Sequence, residues 1–250
     1  GMELFPSQLG LNRFRLTFQA EGELWSQGYR GSAWRGVLGH ALKRMVCVTR
    51  AQVCEGCLLE QSCTYPYVFE TPTRQQGVLG RSPAAPHPFV LEVAAKPGRG
   101  RREEVVGLTV IGRGQQHAAY LIHALGQAGA QGLRPENVPL QLVEVERESE
   151  VGSGKWVSAV GESGLEISEC GELHPPAAPK AAEIVFHTPL RMKRDNDLLT
   201  PATLELCDLA RGMVRRMAML CEYHTDEPWN PDFRAVMESA GALRWSAKDL

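Results

Sequence analysis

The sequence predicts an α+β fold with a ferredoxin-like βαββαβ order. Three observations carry that expectation: an apolar–polar alternation near the start, two segments of helical apolar periodicity, and the order in which strand-like and helix-like segments follow one another. In residues 12–24, Phe14, Leu16 and Phe18 alternate with Arg13, Arg15 and Thr17, the period-2 pattern of a half-buried strand. Gly28, Gly31 and Ser32 then break the pattern, and Ser32 is suited to cap a helix running to about Cys47. Trp34, Val37, Leu38, Ala41, Leu42 and Met45 fall on one stripe of that helix, with Gly36, His40, Lys43 and Arg44 opposite.

Strand signals return at 65–70 (Tyr65, Tyr67, Phe69), at 88–95 and at 105–111, with Pro and Gly punctuating the chain between the first two. A helix is expected over 115–128, with Ala118, Leu121, Ile122 and Leu125 on one face, and a last strand over 139–147. Residues 1–150 thus read as one ferredoxin-like domain with a cysteine-rich insertion at 47–64. Residues 151–180 read as a linker or hairpin excursion. Residues 181–250 read as the start of a second, incomplete unit: a strand at 183–192, a helix from Thr200 to about His224 with Pro201 in its first turn, and a short helix at 231–241. Leu206, Leu209, Met213, Met217 and Leu220 form the expected core stripe of the long helix.

Of the 250 residues, 43% are hydrophobic and 22% charged, which places the chain among globular rather than disordered or fibrous sequences. No apolar run approaches the roughly 18 residues of a membrane span, and no export signal opens the sequence, so the cytoplasm is the expected compartment and no membrane partner is expected. Gly1, ahead of Met2, reads as a remnant of tag cleavage. The formal net charge of −2 hides an asymmetry. Residues 13–50 are rich in Arg and Lys, whereas 144–172 are rich in Glu, so one basic face can exist on a nearly neutral chain.

Cys47, Cys54, Cys57 and Cys63 are spaced C-x6-C-x2-C-x5-C. A close Cys54/Cys57 pair flanked by two more thiols suits a tetrahedral thiolate set. Zinc is the first expectation and an iron–sulfur cluster the second. Four thiolates leave no open position, so the metal would staple a loop rather than catalyse. Cys207 and Cys221 read as small core residues, and Cys170 stands apart.

Two segments carry a resemblance. Gly31-Ser-Ala-Trp-Arg-Gly-Val-Leu-Gly-His-Ala-Leu-Lys-Arg44 is followed by the cysteine cluster and by Tyr65-Pro-Tyr-Val-Phe-Glu70, and Phe186-His-Thr-Pro-Leu-Arg-Met-Lys193 precedes a long Arg-containing helix. Together they resemble the CRISPR-associated RAMP proteins, specifically the endoribonuclease that cuts precursor CRISPR RNA. The resemblance implies tandem ferredoxin-like domains and CRISPR repeat RNA as partner, alongside other CRISPR-associated proteins. It also implies cleavage without a catalytic metal: the ribose 2′-OH attacks the adjacent phosphate, leaving a 2′,3′-cyclic phosphate and a 5′-OH. The family's glycine-rich Gly-x-Gly loop does not follow residue 200, so the resemblance is to the N-terminal portion.

Such cleavage needs a base, an acid and cations around the phosphorane. His40 is the first candidate for proton transfer, with Tyr29 and Lys43 beside it and His117 next in line. Arg30, Arg35, Arg44, Arg99, Arg101 and Arg102 are the candidate phosphate contacts. Gly36 and Gly39 in a helix suggest close approach by either RNA or protein. Two other functions fit the same residues: a non-catalytic RNA-gripping RAMP subunit, and a redox or regulatory protein holding an iron–sulfur cluster.

Overall fold

In a computed structural model, which describes residues 6–71, 84–167, 173 and 175–249, the chain is a mixed α/β protein around a five-stranded antiparallel sheet. The central strand, β1 (Leu11–Leu24), realises the alternation: Phe14, Leu16, Phe18 and Ala20 are buried while Arg13, Arg15 and Thr17 face the other way. Helix α1 (Gly31–Val46) follows, then a six-residue helix α2 (Thr64–Phe69), and strands β2 (Phe89–Glu92) and β3 (Arg101–Ile111). A 3-10 turn at Gly112–His117 leads into α3 (Ala118–Ala130), and β4 (Leu140–Glu148) and β5 (Trp156–Ser158) complete the sheet.

The strand order is β2-β3-β1-β4-β5. Phe14 sits opposite Leu108 of β3 and Arg147 of β4, and Leu16 opposite Val106 and Val145. A one-residue slip would turn the whole apolar set of β1 to the other face, so the pattern fixes the register. Helices α1 and α3 pack against each other and against the face that carries Phe14, Leu16 and Phe18, with Trp34 of α1 meeting Phe18 at 4.9 Å between ring centroids. Burial of each such side chain contributes roughly 1.5–3 kcal/mol.

The opposite sheet face is polar and charge-compensated. Arg13 Nη1 donates to Glu148 at 3.0 Å and Arg15 Nε to Glu146 at 2.7 Å, while the Arg15 guanidinium lies 4.6 Å over Trp156.

Beyond the sheet, β6 (Val160–Gly161) with β7 (Gly164–Leu165) and β8 (Lys193–Arg194) with β9 (Asp197–Leu198) form two minimal hairpins. Helices α4 (Leu206–His224) and α5 (Phe233–Ala242) close the chain. Helix α4 packs against the end of the sheet. Its Val214, Ala218, Leu220 and Cys221 form a second apolar cluster with Leu9 and Ile111 from the sheet's end and with Trp229. Among the described residues, no helix is long and apolar enough to cross a membrane.

Four expectations are corrected. The segment expected as a strand at 65–70 is helix α2. Pro66 falls in its first turn, where a missing N–H costs nothing, and the i,i+4 rings of Tyr65 and Phe69 stack at 5.5 Å. Residues 183–192 are irregular and largely exposed, since among the described residues no neighbouring strand pairs with them. The long helix starts at Leu206, not Thr200. Glu205 and Asp208 form a reciprocal capping box, while Thr200 and Thr203 make their own turn before it. Met213, expected in the core stripe, is 58% exposed, and Val214 and Ala218 point inward instead.

Candidate functional site

Helix α1 brings part of the expected site onto one line. Gly36, His40 and Arg44 recur at i, i+4 and i+8, and all three are exposed. A Cβ added at Gly36 would meet nothing within 4 Å, whereas one at Gly39 would meet the Phe69 ring at 3.4 Å. The two glycines therefore have different causes: Gly39 admits α2, and Gly36 is open to the outside.

Tyr29 and Lys43 do not join His40. The Tyr29 ring lies against Gly31 at the helix start, and a rise of roughly 14 Å separates Gly31 from His40. Lys43 Nζ donates to the Gln52 carbonyl at 2.9 Å and lies 5.2 Å over the Tyr65 ring, so it serves the cysteine loop.

The expected phosphate contacts also divide. Arg44, Arg99 and Arg102 are exposed. Arg30 is only 4% exposed and is spent internally: its Nε donates to Glu104 at 2.9 Å, and Nη1 pairs with Glu136. Trp34 Nε1 donates to the same Glu104 oxygen at 3.1 Å. Arg101 donates to the carbonyls of Ser26 and Gly98 and approaches Glu104 at 3.9 Å. Arg30 and Arg101 thus belong to a four-charge network that ties the start of α1 to β3 and to the loop before β4. The sequence could not show this, because the partners of Arg30 lie 74 and 106 residues away.

The four cysteines of the insertion line one cavity between the end of α1 and the start of α2, with Thr49, Glu60 and Tyr65. The Thr49 hydroxyl lies 3.4 Å from the Cys57 sulfur and 3.9 Å from that of Cys47. The Thr49 contact draws the Cys57 thiol below its ordinary pKa, and burial, followed by the charge of Glu70, pushes Cys54 up. Among the described residues, no three His, Cys, Asp or Glu side chains converge as a set of metal ligands. The cavity gathers the thiols without closing them around an ion. Cys170 lies outside the described residues.

Sequence reasoning missed a cluster of rings between α2 and α4. Tyr67, His117 and His224 meet there, with Tyr67 ring centroids 5.0 Å from His117 and 5.5 Å from His224. His224 is fully buried. Its Nε2 lies 2.6 Å from the Pro86 carbonyl, which can only accept, so Nε2 carries the proton and Nδ1 accepts from the Tyr67 hydroxyl at 2.9 Å. Burial holds His224 neutral, with its pKa down to about 4. His117 Nδ1 pairs with the Thr64 hydroxyl at 3.1 Å, and burial lowers its pKa as well. His87 Nδ1 donates to the Val68 carbonyl at 2.9 Å, which leaves Nε2 as the basic nitrogen. The available signal was the run Pro86-His87-Pro88 next to an apolar strand.

Comparison with known proteins places the first part of the chain. Residues 8–169 match the family model described as the AF_1859_N N-terminal domain. The chain belongs to this family. It is also similar to an uncharacterized protein of Archaeoglobus fulgidus, at 27% identity over 227 residues, which cover 89% of this chain and 72% of that protein. No solved structure matches it. The family match covers the whole sheet, α1 to α3 and the cysteine loop, and ends before α4.

Proposed function

We propose that this protein handles CRISPR RNA as a RAMP-type endoribonuclease, cutting repeat RNA by attack of a ribose 2′-OH without a catalytic metal. The observation that carries the proposal is the exposed line of Gly36, His40 and Arg44 on α1, inside the segment that resembles those nucleases. An open glycine admits a backbone, a histidine exchanges a proton near neutral pH, and an arginine holds a phosphate. The order β2-β3-β1-β4, antiparallel throughout with α1 and α3 on one face, supports reading the N-terminal part as a ferredoxin-like unit. A structural zinc at Cys47, Cys54, Cys57 and Cys63 and a cytoplasmic setting belong to the same proposal.

A second reading, an RNA-gripping subunit that does not cut, is favoured by one observation: Tyr29 and Lys43 are placed away from His40. Incubating repeat RNA with wild type and His40→Ala separates the two. Under the nuclease reading, wild type yields 2′,3′-cyclic phosphate ends in EDTA, and the variant is slower by about a hundredfold or more while binding nearly as well. Binding by the wild type with no cleavage decides for the gripping subunit.

A further inference from the structure

Residues 183–191 are at odds with their surroundings. The stretch Glu183-Ile-Val-Phe-His-Thr-Pro-Leu-Arg191 has the β-branched and apolar composition of a strand. Yet Ile184 is 44%, Val185 59% and Leu190 47% exposed. Among the described residues, the backbone of 183–191 makes no hydrogen bond to other backbone; the nearest runs from the Leu199 N–H to the Met192 carbonyl at 2.9 Å. The stretch lines an open groove together with Tyr29, Ala95 and Leu204, which leaves its edge within reach of another chain. An exposed strand edge of this kind is a template for pairing.

The sequence of the stretch complements itself when it is read backwards. Two copies laid antiparallel about His187 set Glu183 opposite Arg191, Ile184 opposite Leu190, Val185 opposite Pro189 and Phe186 opposite Thr188. Glu183 and Arg191 are both exposed and stand at opposite ends, so an ion pair forms at each end of the antiparallel pair. A parallel copy in register would set Glu183 against Glu183 and Arg191 against Arg191 instead.

Proline has no N–H, and pairs in an antiparallel ladder alternate between bonded and non-bonded. With Val185 and Pro189 in a non-bonded pair, the Pro189 nitrogen points away from the partner. The bonded pairs are then Ile184–Leu190 and Phe186–Thr188, and the ladder has no gap. Ile184, Phe186 and Leu190 share one face of the stretch. Phe186 is the half-buried one of the three, so that face turns toward the protein. The single chain bends at His187 and Thr188, and pairing straightens it there.

We propose that residues 183–191 are a self-complementary docking strand, through which a second copy of this chain joins antiparallel about a two-fold axis at His187. The same patch serves on both copies, as two-fold symmetry requires. The proposal does not depend on RNA.

The test uses the full chain, with Glu183→Arg and the double variant Glu183→Arg/Arg191→Glu. Sedimentation over a range of concentrations gives the mass, and hydrogen exchange gives the protection of each amide. The wild type should pass from monomer to dimer as concentration rises. Glu183→Arg sets like charges opposite each other at both ends and should weaken the dimer by about tenfold or more. The double variant restores opposite charges and should recover most of that loss. Both positions are exposed, so all three proteins should unfold at the same temperature when dilute. In the dimer, the amides of Ile184, Phe186, Thr188 and Leu190 should exchange slowly and those of Val185 and His187 fast. A wild type that stays monomeric throughout would overturn the proposal. So would a dimer indifferent to Glu183→Arg, which would be joined elsewhere, or a double variant no tighter than the single one. Protection that fails to alternate along the stretch would also overturn it, by excluding the ladder.

Discussion

The Tyr67 hydroxyl donates to Nδ1 of His224 at 2.9 Å across 157 residues of sequence, joining the short helix after the cysteine loop to the last turn of α4. The same imidazole gives its other proton to the Pro86 carbonyl. Both ring nitrogens are occupied by partners that suit the neutral form, and no water-facing surface remains.

This arrangement sets a pH dependence. His224 titrates near 6.5 when unfolded and at about 4 when folded, so the unfolded chain binds a proton that the native state refuses. The stabilisation is fully present above about pH 6.5 and is lost as pH falls to about 4, amounting to something on the order of 3 kcal/mol. His87 and His117 are lowered too and add in the same direction. Urea unfolding at neutral and mildly acid pH should show this loss in wild type and a flatter profile in His224→Gln. An equally steep profile in the variant would assign the acid sensitivity elsewhere.

The network of Arg30, Arg101, Glu104 and Glu136 predicts a large effect from a small change. Glu104→Gln leaves Arg30 buried with one fewer charge partner and weakens the bond from Trp34. Breaking a buried pair by removing one member typically costs about 3–5 kcal/mol. Glu238→Gln, which removes the exposed pair with Arg234, should change nothing measurable. Comparable unfolding midpoints for the two variants would contradict the assigned burial.

Two glycines should respond in opposite directions. Gly112 has φ +54°, and an added Cβ would stand 2.1 Å from the His224 carbonyl oxygen, so Gly112→Ala forces α4 away from the sheet's end. A loss of about 2 kcal/mol or more is expected from strain and lost packing together. Gly36→Ala meets open space in a helix and should add roughly 0.5–1 kcal/mol. If the Gly36 line faces RNA, the stabilised variant should nonetheless bind RNA less well. Unchanged RNA affinity would remove Gly36 from the interface.

The spacing of Cys47, Cys54, Cys57 and Cys63 predicts about one zinc per chain in protein prepared without chelator, measured by elemental analysis. Chelation should expose Cys47, Cys54, Cys57 and Cys63 to alkylation, while Cys221, fully buried with its thiol pushed up to about 11, stays unreacted in the native state. Reduced, metal-free thiols at full occupancy would refute the zinc. A visible absorption band would point to an iron–sulfur cluster.

The sheet and its two helices were legible because each follows a period that local sequence sets. The alternation of Phe14, Leu16 and Phe18 and the stripe of Trp34, Leu38, Ala41 and Leu42 are buried as read. Tyr65, Tyr67 and Phe69 misled, since spacing by two is also compatible with a short helix whose i,i+4 rings stack. Residues 183–192 have the composition of a strand, but a strand also needs a neighbour, which composition cannot supply. Within the site, the exposed line of α1 was readable from helical spacing. The inward turn of Arg30 and the docking of Lys43 on the cysteine loop were not, because each depends on residues brought close only by folding.

The second apolar cluster has a practical consequence for anyone dividing this chain. The family match ends at residue 169, which invites an expression boundary there. Leu9 and Ile111 are covered by Val214, Ala218 and Cys221, and the Tyr67 hydroxyl is answered by His224. A fragment cut at that boundary would keep its sheet while baring a greasy seam and a stranded phenol. Such a fragment should clump in solution, and supplying the missing helices as a separate peptide should bring it back into solution.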